Sequence, residues 1–412
     1  MNRSFLNFCV FIILILSLNS CGSIYRLLRY GPPKVTDYER FIKLPVEASQ
    51  NPSKLLKAKN SVSFPEPAEW VLDTKKRPAK KAKKYKSNEA FFEDSETISF
   101  LVMKNDSIIY EKYFNGYGPD KPAQVFSVTK SILGTLVAIA IRDGDIKGLD
   151  QPVSDFIPEF ADERSEVKLD HLLQMTAGFD FIDLSIPGLK KLLRMYYIKN
   201  QGDYLHKVGL KQSPGKNFAY SSYASLVLGT CLEKAVGMPV NEYLSLKLWK
   251  PMGAQYPAYW TAHKDSVSKM YGGIVTVARD LARFGRLYLN EGRINGRQIV
   301  PRDWVLKTRQ IDTLNGAWWG YNNCFWLNSY YKGCEKVKIN YKKINNDYMV
   351  KKEKNDFFAG GYKGQTVYLD PKNDIIVVRQ GAKRSGFFWS TSISHLVHLV
   401  YDEDKKTKTA IY

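Results

Sequence analysis

Ser127 and Lys130 stand three residues apart in Val125-Phe126-Ser127-Val128-Thr129-Lys130. On a helix that spacing puts both side chains on one face, within reach of each other. Leu133, Leu136, Val137, Ile139 and Ala140 then recur at helical spacing until Gly144 interrupts the run, so the pair opens an apolar helix. A helix N-terminus offers free N–H groups and positive potential, which suit an oxyanion. A lysine in apolar surroundings loses solvation, its pKa falls, and it becomes a competent base. Together these are the parts of an activated serine nucleophile. Spacing alone is weak, because Ser-x-x-Lys also begins at Ser165, Ser213, Ser266 and Ser329. Those four lie in charged, turn-like or polar aromatic stretches, and the bland reading of Ser127 itself is a helix N-cap followed by a solvated lysine.

The elements that must position this pair are read from the flanking patterns. Ile98–Met103 and Ile108–Tyr113 flank a polar turn and predict a β-hairpin, as do Gln365–Asp370 and Asp374–Arg379 around Pro371-Lys372-Asn373. Residues 150–310 are expected to be mainly helical, Trp318–Leu327 a strand, residues 335–356 a lysine-rich insertion, and Thr391–Tyr401 a last helix. Strands near both ends with helices between them imply an α+β fold: one antiparallel sheet flanked by helices, with an inserted helical subdomain.

The chain has 412 residues and a formal net charge of +20, with 44% hydrophobic residues. It is long enough for a large core, and its composition excludes a disordered chain. Asn2 and Arg3 precede an apolar run, Phe8–Leu18, that is too short to span a bilayer and suits a signal peptide. The run ends in Leu18-Asn19-Ser20-Cys21-Gly22, which resembles a bacterial lipobox. Residues 1–20 are therefore expected to be a removed signal and Cys21 a lipid attachment point. The expected location is a bacterial membrane lipoprotein, in the outer membrane facing the periplasm, the Gly22 after Cys21 favouring that side by analogy with lipoprotein sorting. Export makes nucleic acid an unfit partner for the positive charge.

Residues 21–90 carry 16 Lys/Arg against 7 Asp/Glu, with eight basic residues between Lys75 and Lys86. This stretch reads as a basic tether able to lie on anionic lipid, leaving residues 91–412 as the folded domain that carries Ser127. Cys324 and Cys334 are the plausible disulfide pair. No cysteine or histidine spacing suggests a metal site.

Several segments, taken in order, resemble the serine β-lactamase and penicillin-binding-protein superfamily. Ser127-Val128-Thr129-Lys130 is similar to its nucleophile motif. Tyr220-Ser221-Ser222, within Pro214–Ser222, is similar to the Tyr-x-Asn motif of the class C-like branch. Asp170–Gly178, Gly272–Gly285 and Gln298–Pro301 resemble structural signatures of that branch. Ser222 in place of asparagine, and Phe357–Gln365, point toward the esterase and amide-hydrolase side that 6-aminohexanoate-dimer hydrolase typifies. The third family motif, Lys-Thr-Gly or His-Thr-Gly, aligns with Ala359-Gly360-Gly361, so its cation is missing and β-lactamase or D-alanyl peptidase activity is put in doubt.

The resemblance implies cleavage of a small-molecule or peptide amide or ester through a Ser127 acyl-enzyme, without cofactor. Lys130 and Tyr220 would share the proton transfers, with the base unassigned between them. The N–H groups of Ser127 and Tyr362 would form the oxyanion hole. Ser222 would orient substrate or lysine, or simply cap a helix. Gly360 and Gly361 would admit substrate to a strand edge, or form a bulge. Tyr223-Ala224-Ser225 repeats the Tyr-x-Ser pattern at a poorer spacing. The five histidines read as structural or surface residues, and no Gly-x-Ser-x-Gly elbow exists. A catalytically silent ligand-binding homologue and a basic structural lipoprotein are the competing classes.

Overall fold

The computed structural model describes residues 29–59, 62–73, 78–183, 185–198, 200–310, 320–327, 356–383 and 386–401. The signal segment, Cys21, Cys334 and the insertion at 335–355 lie outside the described residues, so the lipidation and the Cys324–Cys334 pairing do too.

In chain order the strands are β1 (Ile42–Val46), β2 (Leu56–Lys57), β3 (Thr97–Lys104), β4 (Ser107–Tyr113), β5 (Ala123–Gln124), β6 (Ala258–Ala262), β7 (Ile274–Thr276), β8 (Arg293–Ile294), β9 (Arg297–Gln298), β10 (Tyr321–Asn322), β11 (Phe325–Leu327), β12 (Phe357–Gly361), β13 (Gln365–Asp370) and β14 (Ile375–Gly381). The α-helices are α1 (Pro67–Trp70), α2 (Asn88–Asp94), α3 (Val128–Asp143), α4 (Leu169–Leu173), α5 (Ile186–Tyr197), α6 (Ser222–Val236), α7 (Val240–Leu244), α8 (Ala278–Leu289), α9 (Arg302–Thr308) and α10 (Trp389–Tyr401).

The main sheet has eight strands in the order β10-β11-β12-β13-β14-β3-β4-β2. Both expected hairpins lie in it, paired to each other through β14 and β3. All neighbours are antiparallel except the edge pair β2–β4. The central strands are buried on both faces, which is why β3 and β14 read as continuous apolar runs rather than alternating ones. Successive residues serve opposite cores: Leu101 and Met103 pack with α3 and α8 residues, while Phe100 and Val102 pack with Trp70, Phe91, Trp389 and Ile393. The fold is thus the expected α+β arrangement, with the helical part inserted between β5 and β10.

Two expectations are corrected. The first concerns the tether expected at residues 21–90, whose described part is folded onto the rest of the protein. β1 pairs along its whole length with β6, and Trp70 is fully buried, its indole N–H donating to Asn88 at 2.8 Å. The lysine run from Lys80 is folded too: Ala79 and Ala82 face inward while Lys80, Lys81, Lys83 and Lys84 face solvent. Charge density hid a segment anchored by a few alanines and one tryptophan. The second concerns Trp318–Leu327. Its described part is two short strands around Asn323 and Cys324, both at positive φ (46° and 66°), a turn conformation that asparagine tolerates.

A smaller sheet, not foreseen, has the order β1-β6-β7-β5. β5 ends at Gln124 and leads directly into the Ser127 turn, so the N-terminal segment and the start of α3 share one hydrogen-bonded frame.

Candidate active site

The start of α3 is held by backbone and side-chain bonds from the strand opposite. Val125 N–H donates to Ile274 C=O at 3.0 Å, Ile274 N–H to Thr129 Oγ1 at 3.1 Å, and Gln124 Nε2 to Gly272 C=O at 2.8 Å. Phe126, just before the serine, sits at φ +48°, a conformation costly for a bulky residue. Its ring is kept there by Val35, Ile98 and Ala123 and by the edge of Tyr362, 5.4 Å away. The sharp turn lifts Ser127 to the helix end, where it is partly exposed; it holds the N-cap position, yet its hydroxyl makes no capping bond.

Lys130 is fully buried. Its Nζ lies 3.0 Å from Ser127 Oγ, 3.2 Å from Ser222 Oγ and 2.9 Å from Tyr271 C=O. The lysine is therefore not the solvated side chain of the bland reading. Burial lowers its pKa to about 8, against a partial pull upward by the Asp183 carboxylate. Tyr220 shares a hydrogen bond with Ser127, and burial pushes its phenol well above the ordinary range. The Tyr220 ring stacks on Trp326 (5.4 Å between centroids) and meets Tyr321 edge-on (5.8 Å), with Lys130 Nζ 5.1 Å from its centre.

Ser222 opens α6, but the cap is its neighbour: Ser221 accepts the Ala224 N–H. The Ser222 hydroxyl instead faces Lys130 and donates to Asp183 Oδ2 at 2.6 Å. Tyr223 turns away, its hydroxyl donating to Leu205 C=O and its ring packed against Phe179 and Phe181.

β12 brings Gly360 and Gly361 to the same end of the sheet, in regular register with Thr366 and Gln365 and without a bulge. A Cβ on Gly361 would stand 2.4 Å from Val125 C=O, so only glycine lets this strand end approach the Ser127 turn. Tyr362 follows it and is 38% exposed. Ala359 is buried in the core, and the next cation along, Lys363, donates to Ala382 C=O. The histidines sit elsewhere: His171 accepts from Lys168 N–H, His263 bonds Ile198 C=O, and His395 contacts Trp70 C=O.

The structure thus brings Ser127, Lys130, Tyr220 and Ser222 together, with Gly361 and Tyr362 beside them. Missed in the sequence were Asp183, Tyr271 and the aromatic wall of Tyr321 and Trp326. Asp183 carries no motif of its own; it follows the Thr176-Ala177-Gly178 segment within an alternating Phe-Asp-Phe-Ile-Asp pattern, which is its one detectable signal. Tyr271 acts through its carbonyl, which any residue supplies.

Comparison with known proteins agrees with this geometry. Residues 89–383 match the Beta-lactamase family. The 6-aminohexanoate-dimer hydrolase of Paenarthrobacter ureafaciens is 28% identical over 301 residues, 70% of this chain and 73% of that one. A D-alanyl-D-alanine carboxypeptidase candidate of Escherichia coli K12 is 22% identical but covers only 40% of this chain and 43% of its own. Among solved structures, a candidate 6-aminohexanoate-dimer hydrolase from Bacillus anthracis superposes with TM-score 0.70 at 21% identity, covering 90% of this chain and 94% of that one. EstCE1, a hydrolase with promiscuous acyltransferase activity, does so with TM-score 0.57 at 18% identity, over 76% and 96%. The chain belongs to the β-lactamase family and is a serine hydrolase.

Proposed function

We propose that the protein hydrolyses an ester or amide through a Ser127 acyl-enzyme, with Lys130 as the base and Tyr220 as the proton donor. The observation that carries this is a fully buried lysine amine 3.0 Å from the serine hydroxyl. Lys130 Nζ takes the hydroxyl proton as Ser127 Oγ bonds to the substrate carbonyl carbon. The carbonyl oxygen becomes an oxyanion facing the N–H groups of Ser127 and Tyr362. Tyr220, protonated across the neutral range because burial raises its pKa, gives its proton to the leaving oxygen or nitrogen and recovers one from the Lys130 ammonium. Water then repeats the sequence in reverse on the acyl-enzyme. Gly360 and Gly361 line the strand edge against which substrate lies.

Intact-protein mass after treatment of the full chain with a fluorophosphonate tests the reading. One adduct is expected on wild type and none on Ser127→Ala; an unlabelled, folded wild type overturns it. The full chain is needed because truncation at residue 91 would remove β1 and Trp70. Screening the labelled enzyme with esters, linear amides and a β-lactam then separates the substrate classes, with β-lactam turnover disfavoured by the buried Ala359 at the third motif.

We also infer that the protein is exported and anchored through lipid on Cys21 in the outer membrane, facing the periplasm. The support is the Asn2–Gly22 pattern together with the outward-facing lysines of residues 80–84, which suit an anionic lipid surface. Cys21→Ala should move the protein from the membrane pellet to the soluble fraction; an unchanged pellet overturns the anchor.

A further inference from the structure

We propose that Asp183 is a positioning residue for acylation: through the Ser222 hydroxyl it sets the proton directions around Lys130, so that the lone pair of the neutral amine points at Ser127. The inference rests on Lys130 acting as the base.

The donors and acceptors around Lys130 Nζ leave one arrangement open. An ammonium has three N–H bonds, and three partners stand around Nζ: Ser127 Oγ, Ser222 Oγ and Tyr271 C=O. A neutral amine has two N–H bonds and one lone pair, so one partner must become a donor. The Tyr271 carbonyl can only accept. Ser222 has one hydroxyl hydrogen, and it is committed to Asp183 Oδ2 at 2.6 Å. The other carboxylate oxygen accepts the Ser222 backbone N–H at 2.8 Å, which fixes the carboxylate in place. Ser222 can therefore only accept from the lysine. Ser127 is left as the one donor to Nζ, and that is the direction of proton transfer that acylation requires. Without the carboxylate, the Ser222 hydroxyl could rotate and donate into the lone pair, blocking the base.

Burial makes the arrangement hold. Lys130, Ser222 and Asp183 are 0%, 2% and 8% exposed, so bulk water does not reshuffle these bonds, and a satisfied buried network is rigid. The groups facing Lys130 are Ser127 at the start of its own helix, Asp183 from the segment before α5, Tyr220 and Ser222 from the start of α6, the Tyr271 carbonyl, and Cys324 from the β10–β11 turn. Burial pushes the Cys324 thiol up to about 12 and Tyr220 higher, so both are neutral. Burial raises the Asp183 carboxyl too, opposed by the Lys130 charge and by the two bonds from Ser222; as the carboxylate that those bonds hold, Asp183 is the one anion among the described groups facing the lysine.

The experiment is the rate of acylation of the full chain by p-nitrophenyl acetate, from neutral to alkaline pH, in wild type, Asp183→Asn and Ser222→Ala, with thermal melts alongside. In Asp183→Asn the amide nitrogen can donate to Ser222 Oγ and turn its hydrogen toward Lys130. The plateau rate should fall by about 10²-fold, the scale of a mispositioned general base. The acid limb should move to lower pH, because the charge favouring the ammonium is gone. Ser222→Ala should lower the plateau with the limb nearly in place, since the Asp183 charge remains. A purely structural role predicts a lower melting temperature with the limb unmoved, and overturns the inference. So does a folded Asp183→Asn that acylates at the wild-type rate. If Asp183→Asn does not fold, Ser222→Ala decides, and a wild-type plateau there overturns it. Lys130→Met separates the two levels: if it acylates normally, the base assignment fails, whereas a dead Lys130→Met beside a normal Asp183→Asn removes Asp183 alone.

Discussion

Among the described residues, two lysines stand three residues after a serine and are fully buried: Lys130, after Ser127, and Lys269, after Ser266. Burial lowers the pKa of both. Their surroundings differ in kind. Lys130 is ringed by hydroxyls, a carbonyl and a phenol, and its serine sits at a helix end. Lys269 is enclosed by rings, its Nζ 2.7 Å from the centre of Phe41 and 4.0 Å from that of Tyr196, with one bond to Tyr196 C=O at 3.0 Å. Ser266 lies exposed in a turn at φ +61° and does not share the cage. The same spacing and the same burial thus put one amine against a serine hydroxyl and the other in a cage of rings. What separates them is a hydroxyl able to give up a proton, and a helix beneath it that keeps serine and lysine on one face.

The sharpest break in this comparison is a pair of methionine substitutions. Lys130→Met should lower the acylation rate by about 10³- to 10⁴-fold, the range for a lost general base, while Lys269→Met should acylate as wild type does. Equal losses in both would mean that burial, and not the hydroxyl ring, makes the site. Next in size, Tyr220→Phe should reduce turnover by about 10²- to 10³-fold while the Ser127 adduct with fluorophosphonate, whose fluoride leaves without help, still forms. Full turnover in Tyr220→Phe would assign leaving-group protonation elsewhere.

A smaller effect concerns stability. Between about 8 and the ordinary lysine value near 10.5 the folded protein holds fewer protons than the unfolded chain at Lys130. Stability therefore rises with pH across that window, by up to about 3 kcal/mol from this group. Lys269 adds a rise of the same sign. Denaturant melts of wild type and Lys130→Met at several pH values should converge at low pH only if the desolvation cost is absent; the expected result is a wild-type deficit there that shrinks as pH rises. Smallest is Phe41→Ala, which opens the Lys269 cage. It should cost about 1–2 kcal/mol from the lost burial of its half-buried ring and leave acylation unchanged. No loss of stability would show that Phe41 does not hold the N-terminal segment down.

Much of the site was legible because its members are tied to local pattern. Ser127 and Lys130 are one helical turn apart at the start of an apolar run, and Tyr220 and Ser222 lie at the start of another. Asp183 was illegible because its two hydrogen bonds from Ser222 reach across 39 residues, and no spacing encodes that. The Ser266 motif was set aside because His263-Lys264-Asp265 before it is polar, yet the rings that bury Lys269 come from β1's neighbour Phe41 and from α5. The N-terminal segment misled for the opposite reason: its charge is real and faces outward, while its anchorage rests on a few residues such as Val46, Trp70 and Ala82.

The sequence by itself determined the two long hairpins of the main sheet, β3–β4 and β13–β14, and the helices α3 and α10, since each is long and apolar enough for its period to show. It also determined that Ser127 and Lys130 meet, because a helix carries residues three apart to one face whatever surrounds it. Only the tertiary structure decided which buried lysine faces a hydroxyl, which serine caps and which one bonds Lys130, and where the N-terminal segment ends up. Those are meetings between residues far apart in the chain, settled by packing and by which polar groups burial forces to pair.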